Sequence, residues 1–182
     1  WGRPQALVPL CLSLLARDPR IAAQLAGSAA VAADWSDASD SLLRALLPRA
    51  VLTDLAFEDW FVALRARLLA DAEGASAHGN DGAVAAQAYL AEYIAPASGE
   101  EASRLARIAE RLCARADAGD ATVPPGWLAA YASYSPLGSL RCVEVLAARR
   151  WPPPVDALFA VQYRAPLEEA RLRAGIGRLT QI

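Results

Sequence analysis

Residues 53–69, TDLAFEDWFVALRARLL, have the most regular helical pattern in the chain. At about 3.6 residues per turn, five large apolar side chains fall on one face of a helix. They are Phe57, Trp60, Phe61, Leu64 and Leu68. Asp59, Arg65 and Arg67 fall largely on the opposite face, which predicts that they face solvent. Burying the five apolar side chains would contribute roughly 8–15 kcal/mol, so the pattern predicts a core helix.

The rest of the chain carries helical patterns of the same kind and no convincing strand. Ser98 and Glu101 form a capping-box motif at the start of a helix over residues 99–116. The core-facing stripe of that helix is Leu105, Ile108 and Leu112. A helix over residues 81–95 precedes it, and we expect the two to form an antiparallel hairpin. Further helices are predicted over residues 4–16, 20–33, 42–47, 124–134, 135–149, 155–163 and 166–173.

These elements predict an all-α fold, as an irregular bundle of roughly nine or ten helices or as solenoid-like helical hairpins. No pattern repeats at the period of about 34 residues that marks a tetratricopeptide array, which favours the bundle. We expect a single helical domain over residues 1–182, divisible into sub-halves 1–72 and 81–182 that an exposed loop over residues 73–80 joins. The only histidine, His78, lies in that loop, and we interpret it as a solvated side chain.

The composition excludes several classes of function. The chain has 182 residues, 55% of them hydrophobic and 21% charged, which is typical of a globular protein. Its net charge of −2 predicts neither nucleic-acid nor membrane binding. All 18 basic residues are Arg, and the lack of Lys excludes Schiff-base chemistry and Walker-type phosphate loops. The chain starts at Trp1 and contains no Met, so we expect it to be part of a longer polypeptide.

The three cysteines are Cys11, Cys113 and Cys142, each within a helical pattern and far from the others in sequence. An odd and scattered set argues against a disulfide framework, and no CxxC spacing indicates a metal site. We therefore predict three small buried hydrophobic side chains in a reducing compartment, and a cytoplasmic protein.

No motif in the sequence indicates an active site. The adjacent acidic pairs are at helix starts or in polar breaks, where carboxylates suit the helix dipole. GxGxxG, GxSxG and HExxH motifs are absent. We predict no catalytic, cofactor-binding or metal-binding residue. One aromatic group could line a groove, although a packed core explains it equally well: Trp127, Tyr131, Tyr134, Trp151 and Tyr163.

Residues 159–182, FAVQYRAPLEEARLRAGIGRLTQI, resemble a segment of a known family. The likeness is carried by Gln162, Pro166, Leu167, Glu168, Glu169, Arg171, Leu179, Thr180 and Ile182. Residues 46–69, 91–94, 100–101 and 134–137 are similar to regions upstream of that segment. The family consists of bacterial proteins that join tetratricopeptide repeats, a helical middle region and a C-terminal S-adenosylmethionine-dependent methyltransferase domain. The sequence departs from the family pattern at Leu90, Ala91 and Gln181.

The resemblance implies that these residues are the helical middle region, and that S-adenosylmethionine binds only in a domain that follows Ile182. Our first hypothesis is therefore a non-catalytic module that positions a protein or peptide partner, or forms a homo-oligomer. Its predicted interaction surface is Trp127, Tyr131, Trp151, Tyr163, Glu168 and Glu169. A free-standing interaction scaffold is the second hypothesis. A small-ligand pocket lined by Trp127, Tyr131 and Trp151 is the third.

Overall fold

A computed structural model of the protein describes residues 47–48, 55–73, 82–120 and 122–179. Every regular element in these ranges is helical, which confirms the all-α class. The helices are α1 (Leu55–Glu73), α2 (Gly82–Leu90), α3 (Gly99–Asp117), α4 (Pro125–Ala132), α5 (Val143–Ala147), α6 (Pro153–Phe159) and α7 (Ala165–Leu179). A short 3-10 turn, Leu137–Ser139, precedes α5, and a π-helical segment, Ala160–Arg164, joins α6 to α7 without a break.

Helix α6, the π-helical segment and α7 form one continuous helix. With these counted as one, the described residues contain six helices, whereas nine or ten were predicted for the chain. The predicted helices over residues 4–16 and 20–33 lie outside the described ranges, as do all but Leu47 of the helix predicted over 42–47. The loop with His78 lies outside them too. Within the described residues, the helix number is lower because the predictions over 155–163 and 166–173 merge into one element.

The sequence pattern ended one helix at residue 163 and began another at Pro166, and this predicted break is wrong. A proline inside an α-helix loses its N–H and its ring clashes with the carbonyl four residues earlier. Here the backbone N–H of Ala165 donates to the Ala160 oxygen, so the turn before the proline is wider than an α-helical turn. The wider turn accommodates Pro166, and the helix continues.

Helix α2 ends at Leu90, although the pattern predicted a helix to residue 95. Glu92 and Tyr93 adopt left-handed backbone conformations, with φ angles of 53° and 55°. The Tyr93 hydroxyl donates a hydrogen bond of 3.2 Å to the Ala132 carbonyl oxygen in α4. Helices α2 and α3 are not among the described element pairs that pack extensively, so the predicted hairpin of α2 with α3 does not form. Helix α2 packs mainly against α4 and α6.

The helix predicted over residues 135–149 is reduced to the 3-10 turn and the short helix α5. Gly138 and Ser139 fall in the middle of the predicted helix, and both residues have lower helix propensity than Ala. The Ser139 N–H donates to the Pro136 oxygen, and Leu140 is extended with ψ at 129°. Local turn hydrogen bonds therefore replace the first half of the helix.

The main core is formed by α3, α4, α5 and α6, with parts of α1 and α2 and the 3-10 turn. Its fully buried large side chains include Leu69, Ile108, Leu112, Leu128, Leu137, Leu146 and Phe159. A smaller cluster lies between α1 and α2 and contains Leu47, Phe61, Leu64, Val84 and Ala88. The burial of Phe61 and Leu64 agrees with the predicted apolar face of α1, and Leu68 packs against the smaller cluster. The side chains of Phe57 and Trp60 lie outside the described part of the chain.

The start and the apolar stripe of α3 are as predicted. The Glu101 backbone N–H donates to the Ser98 hydroxyl oxygen at 3.3 Å, and the Ser98 N–H donates to the Glu101 carboxylate at 2.7 Å. Both halves of the capping box are therefore present. Leu105, Ile108 and Leu112 are all buried in the main core.

The cysteine prediction is wrong for two of the three residues. Cys113 in α3 and Cys142 at the start of α5 form a disulfide, with their Cα atoms 5.2 Å apart. The two residues are 29 positions apart, and they meet because α3 packs against α5 in the main core. Disulfides are rare in reducing compartments, so this one removes the basis of the cytoplasmic localisation, which stays a prediction. Cys11 lies outside the described residues.

Candidate interaction surface

Glu168 and Glu169, two of the six predicted interaction residues, lie on α7. Every residue from 165 to 174 is exposed, and we call this segment the projecting helix. Among the described elements, α7 packs extensively only against the π-helical segment that it continues. Glu168 pairs with Arg171 at 3.8 Å and Glu169 with Arg173 at 2.6 Å, so these carboxylates are matched by arginines on the same helix.

Two large apolar side chains of the projecting helix are also exposed. Leu167 has 38% of its surface accessible and Leu172 has 61%. Ion pairs between residues three or four apart stabilise a helix by only about 0.2–0.5 kcal/mol each. Isolated helices shorter than about 12–15 residues are marginal in water, and most helical stability in proteins comes from packing of an apolar face. The projecting helix therefore presents two exposed leucine side chains that the described part of the chain does not cover.

Trp127 is partly buried against the main core. The guanidinium carbons of Arg115 and Arg111 lie 5.0 and 6.0 Å from the centre of its ring, within the range of cation–π contacts. Arg115 also donates to the Thr122 carbonyl oxygen at 2.9 Å. This corner joins the end of α3 to the start of α4.

The structure brings Tyr131 and Tyr163 to the same 3-10 turn. The Tyr131 hydroxyl lies 2.9 Å from the Ser139 hydroxyl, and Tyr163 lies beside Gly138. Trp151 is in a different place, where its ring stacks on Phe159 with the centroids 6.0 Å apart. The indole N–H of Trp151 donates to the Leu146 carbonyl oxygen at 2.8 Å. All three rings are partly buried against the main core, while the two glutamates are on the projecting helix.

A partly buried polar cluster of Arg65, Glu101 and Tyr134, which joins α1, α3 and the segment after α4, was missed by the sequence pattern. Arg65 was predicted to face solvent, but it is only 1% exposed. Its guanidinium carbon lies 4.0 Å from the centre of the Tyr134 ring, and the Tyr134 hydroxyl donates to the Glu101 carboxylate. The Nε and Nη2 atoms of Arg65 have no hydrogen-bond partner among the described residues.

A signal for the burial of Arg65 exists in the spacing of its neighbours. Arg65 follows Phe61 by four residues and precedes Leu69 by four, and both of these side chains are buried. Residues four apart lie on the same face of a helix. The cation is accommodated there by the Tyr134 ring, since a desolvated cation–π contact contributes about 2 kcal/mol. The sequence of α1 alone does not show which distant aromatic residue will pack against the Arg65 guanidinium.

The same cluster changes the acidity of two groups. Burial raises the pKa of Glu101, but the hydrogen bonds from Tyr134 and Ser98 and the charge of Arg65 outweigh burial, so the pKa is below its usual value. Burial, followed by the hydrogen bond to Glu101 and the charge of Glu101, raises the pKa of Tyr134. Tyr134 therefore stays neutral and acts as a hydrogen-bond donor at physiological pH.

The free energy of unfolding is expected to decrease when the pH falls through the folded-state pKa of Glu101. The pKa is lower in the folded state, so this contribution is fully present above the unfolded carboxyl value of about 4.3 and is lost on acidification. Glu101→Gln should reduce the slope of stability against pH on the acid side, measured by urea denaturation between about pH 2 and pH 6. Glu110→Gln, on the exposed side of α3, is the control for the loss of one charge. An unchanged slope in Glu101→Gln would contradict the assignment.

Gln162 is a buried polar side chain in the π-helical segment, with 3% of its surface exposed. Its Oε1 atom accepts from the Leu137 N–H at 3.2 Å. Its Nε2 atom donates to the Ala85 carbonyl oxygen at 3.2 Å and to the Ala132 carbonyl oxygen at 3.4 Å. One amide thus links the long helix to α2, α4 and the 3-10 turn. Gln162 was singled out in the sequence by resemblance alone, and its structural role was not predicted.

No group of three or more His, Cys, Asp or Glu side chains in the described ranges is arranged to hold a metal ion. None of the described helices is both long and apolar enough to span a bilayer. Comparison with known proteins finds no matching family model, no matching curated protein and no matching solved structure. The surface features above are therefore the basis for a functional proposal.

Proposed function

We propose that the chain is a non-catalytic helical interaction module whose docking element is the projecting helix, residues 165–174. The observation that carries this proposal is the exposure of Leu167 and Leu172 on a helix whose only extensive packing among the described elements is with the π-helical segment. Fully burying a leucine side chain contributes about 1.5–3 kcal/mol. A partner that covers both leucines supplies the packing that this helix lacks.

The charged side chains next to Leu167 and Leu172 are typical of the polar rim of a protein interface. Glu168, Glu169, Arg171 and Arg173 are exposed on the same two turns. Interfaces combine an apolar centre with a polar, solvent-accessible rim, and charged residues are depleted at the centre. The projecting helix therefore fits a protein or peptide partner with an apolar patch and charges of both signs around it.

The direction of the projecting helix supports a positioning role. It continues from α6, whose residues Val155, Leu158 and Phe159 are buried in the main core. The continuous helix transmits the orientation of the core to the docking surface. Because holding reactants in a fixed geometry accelerates a reaction, such a module contributes to catalysis without carrying a catalytic group.

The sequence resemblance suggests a specific partner. In this version of the proposal, the module belongs to a bacterial S-adenosylmethionine-dependent methyltransferase polypeptide, and the projecting helix contacts its methyltransferase domain. Pro166, Leu167, Glu168 and Glu169, which carry the resemblance, lie on the projecting helix. A free-standing interaction scaffold uses the same surface with a separate protein as partner, and it differs only in the absence of an attached enzyme.

Amide hydrogen exchange of residues 1–182 tests the docking element. In the isolated chain, we expect amides 165–174 to exchange much faster than those of α3, because few packed groups protect them. In the larger polypeptide or complex, the same amides should become protected. The double substitution Leu167→Glu with Leu172→Glu should remove that protection, and Val145→Glu, at an apolar position on α5 with exposure between those of the two leucines, should not. Equal protection of α7 and α3 in a monomeric isolated chain would contradict the proposal.

Calorimetric titration with S-adenosylmethionine tests the non-catalytic part of the proposal separately. Residues 1–182 should release no binding heat, since the donor would bind in a following domain. Tight binding of S-adenosylmethionine by residues 1–182 alone would overturn the non-catalytic part of the proposal. The docking role of the projecting helix would then be tested only by hydrogen exchange.

A further inference from the structure

An apolar groove of about 470 Å³ lies between α2 and the long helix formed by α6 and the π-helical segment. At one end the two helices touch, because a Cβ atom at Gly82 would lie only 3.1 Å from the Cβ atom of Pro154. Leu90 and Val161 also line the groove, and they are 38% and 50% exposed. The groove is separate from the projecting helix and from the six predicted interaction residues.

Small side chains create the space. Ala83 and Ala86 on α2 and Ala157 on α6 line the groove, so methyl groups stand where larger side chains would fill it. The described lining contains no charged side chain. Its two polar side chains are Tyr89 and Gln162, and the Gln162 amide is already hydrogen-bonded to three backbone groups. The site therefore offers apolar contact and one tyrosine side chain to an occupant.

The size of the groove decides which class of occupant it fits. Small-molecule pockets have volumes of about 300–1,000 Å³ and are lined mainly by apolar groups with few polar ones. A charged ligand would lose its hydration without gaining a charged partner among the described lining residues, which is costly in an apolar site.

We propose that the groove between Gly82–Leu90 and the segment 154–162 is a binding site for an uncharged, apolar small molecule. This ligand site is a second function of the chain and does not depend on the docking role of the projecting helix. The ligand places its apolar body against Ala83, Ala86 and Ala157, with Leu90 and Val161 at the margins.

Fluorescence titration of residues 1–182 with the neutral probe N-phenyl-1-naphthylamine tests the site. We expect saturable binding of one probe per chain. Ala157→Trp should weaken binding at least tenfold, because the indole occupies the groove. Ala106→Trp is the matched control, since Ala106 is also an exposed helical alanine but lies on α3 outside the groove, and it should leave the affinity unchanged.

A second pair of variants keeps the test decisive if Ala157→Trp fails to fold. Val161→Glu places a carboxylate at the margin of the groove and should weaken probe binding at least tenfold. Val145→Glu, at a site with 46% exposure on α5, should have no effect. The double variant Leu167→Glu with Leu172→Glu should bind the probe as the wild type does, which separates this proposal from the docking helix.

Three results would overturn the ligand site. The first is unsaturable or absent probe binding. The second is equal affinity in Val161→Glu and Val145→Glu, which would locate the probe elsewhere. The third is a dimer in sedimentation equilibrium that dissociates in Val161→Glu and excludes the probe, which would make a second copy of the chain the occupant of the groove.

Discussion

Replacing Gln162 with Leu is expected to lower the free energy of unfolding by about 2–4 kcal/mol, although the side chain is similar in size. The Leu137 N–H loses its acceptor, and the carbonyl oxygens of Ala85 and Ala132 each lose a donor. A buried donor without a partner costs about 1–3 kcal/mol, and each further lost hydrogen bond costs about 0.5–1.5 kcal/mol. The carbonyl of Ala132 keeps the hydrogen bond from Tyr93, which limits the total.

Urea denaturation measures this effect as a lower midpoint with an unchanged slope. Tyr131→Phe is a suitable control, because it removes the exposed contact with Ser139 and should change stability by less than about 1 kcal/mol. A loss below about 1 kcal/mol in Gln162→Leu would show that the amide is not the link between the long helix, α2 and the 3-10 turn.

Removing the disulfide is expected to cost a similar amount, about 3–4 kcal/mol, in the double variant Cys113→Ala with Cys142→Ala. The bond closes a loop of 29 residues, and in the chain-entropy description it stabilises the protein by restricting the unfolded ensemble. Both cysteines are buried, at 2% and 4% exposure, so the substitutions also remove some packing.

A reductant provides the internal control for the disulfide. It should lower the denaturation midpoint of the wild type and have no further effect on the double variant. A thiol titration of the unfolded, unreduced protein should find one reactive cysteine, Cys11, among the three in the chain. Three reactive thiols, or a wild type insensitive to reductant, would contradict the bond.

The parts of the fold that were predicted correctly depend on interactions within a few residues. The capping box of Ser98 with Glu101 and the stripe of Leu105, Ile108 and Leu112 are set by local spacing alone. The same holds for the two buried residues Phe61 and Leu64 in α1. In these segments, local preference and tertiary packing favour the same structure, and for that reason a single sequence was sufficient.

Two of the errors occur where a distant group changes the local preference. Arg65 is buried because the Tyr134 ring lies 4.0 Å away, and Tyr134 is 69 residues further along the chain. The helix over residues 81–95 is shortened at the left-handed turn of Glu92 and Tyr93, which is tied to α4. The join of α6 to α7 is a local exception, because the Ala165 N–H donates to the Ala160 oxygen in a π-helical turn directly before Pro166.

The sequence by itself determined that this protein is all-α and where its best amphipathic helices begin. Helical periodicity and capping act over about four residues, so they can be read directly from the order of side chains. Tertiary structure alone decided that Cys113 meets Cys142, that Gln162 links three elements and that α7 projects from the core. It also formed the groove beside Gly82. Each of these features depends on which helices pack together, and that choice is made by the summed burial of many side chains far apart in the chain.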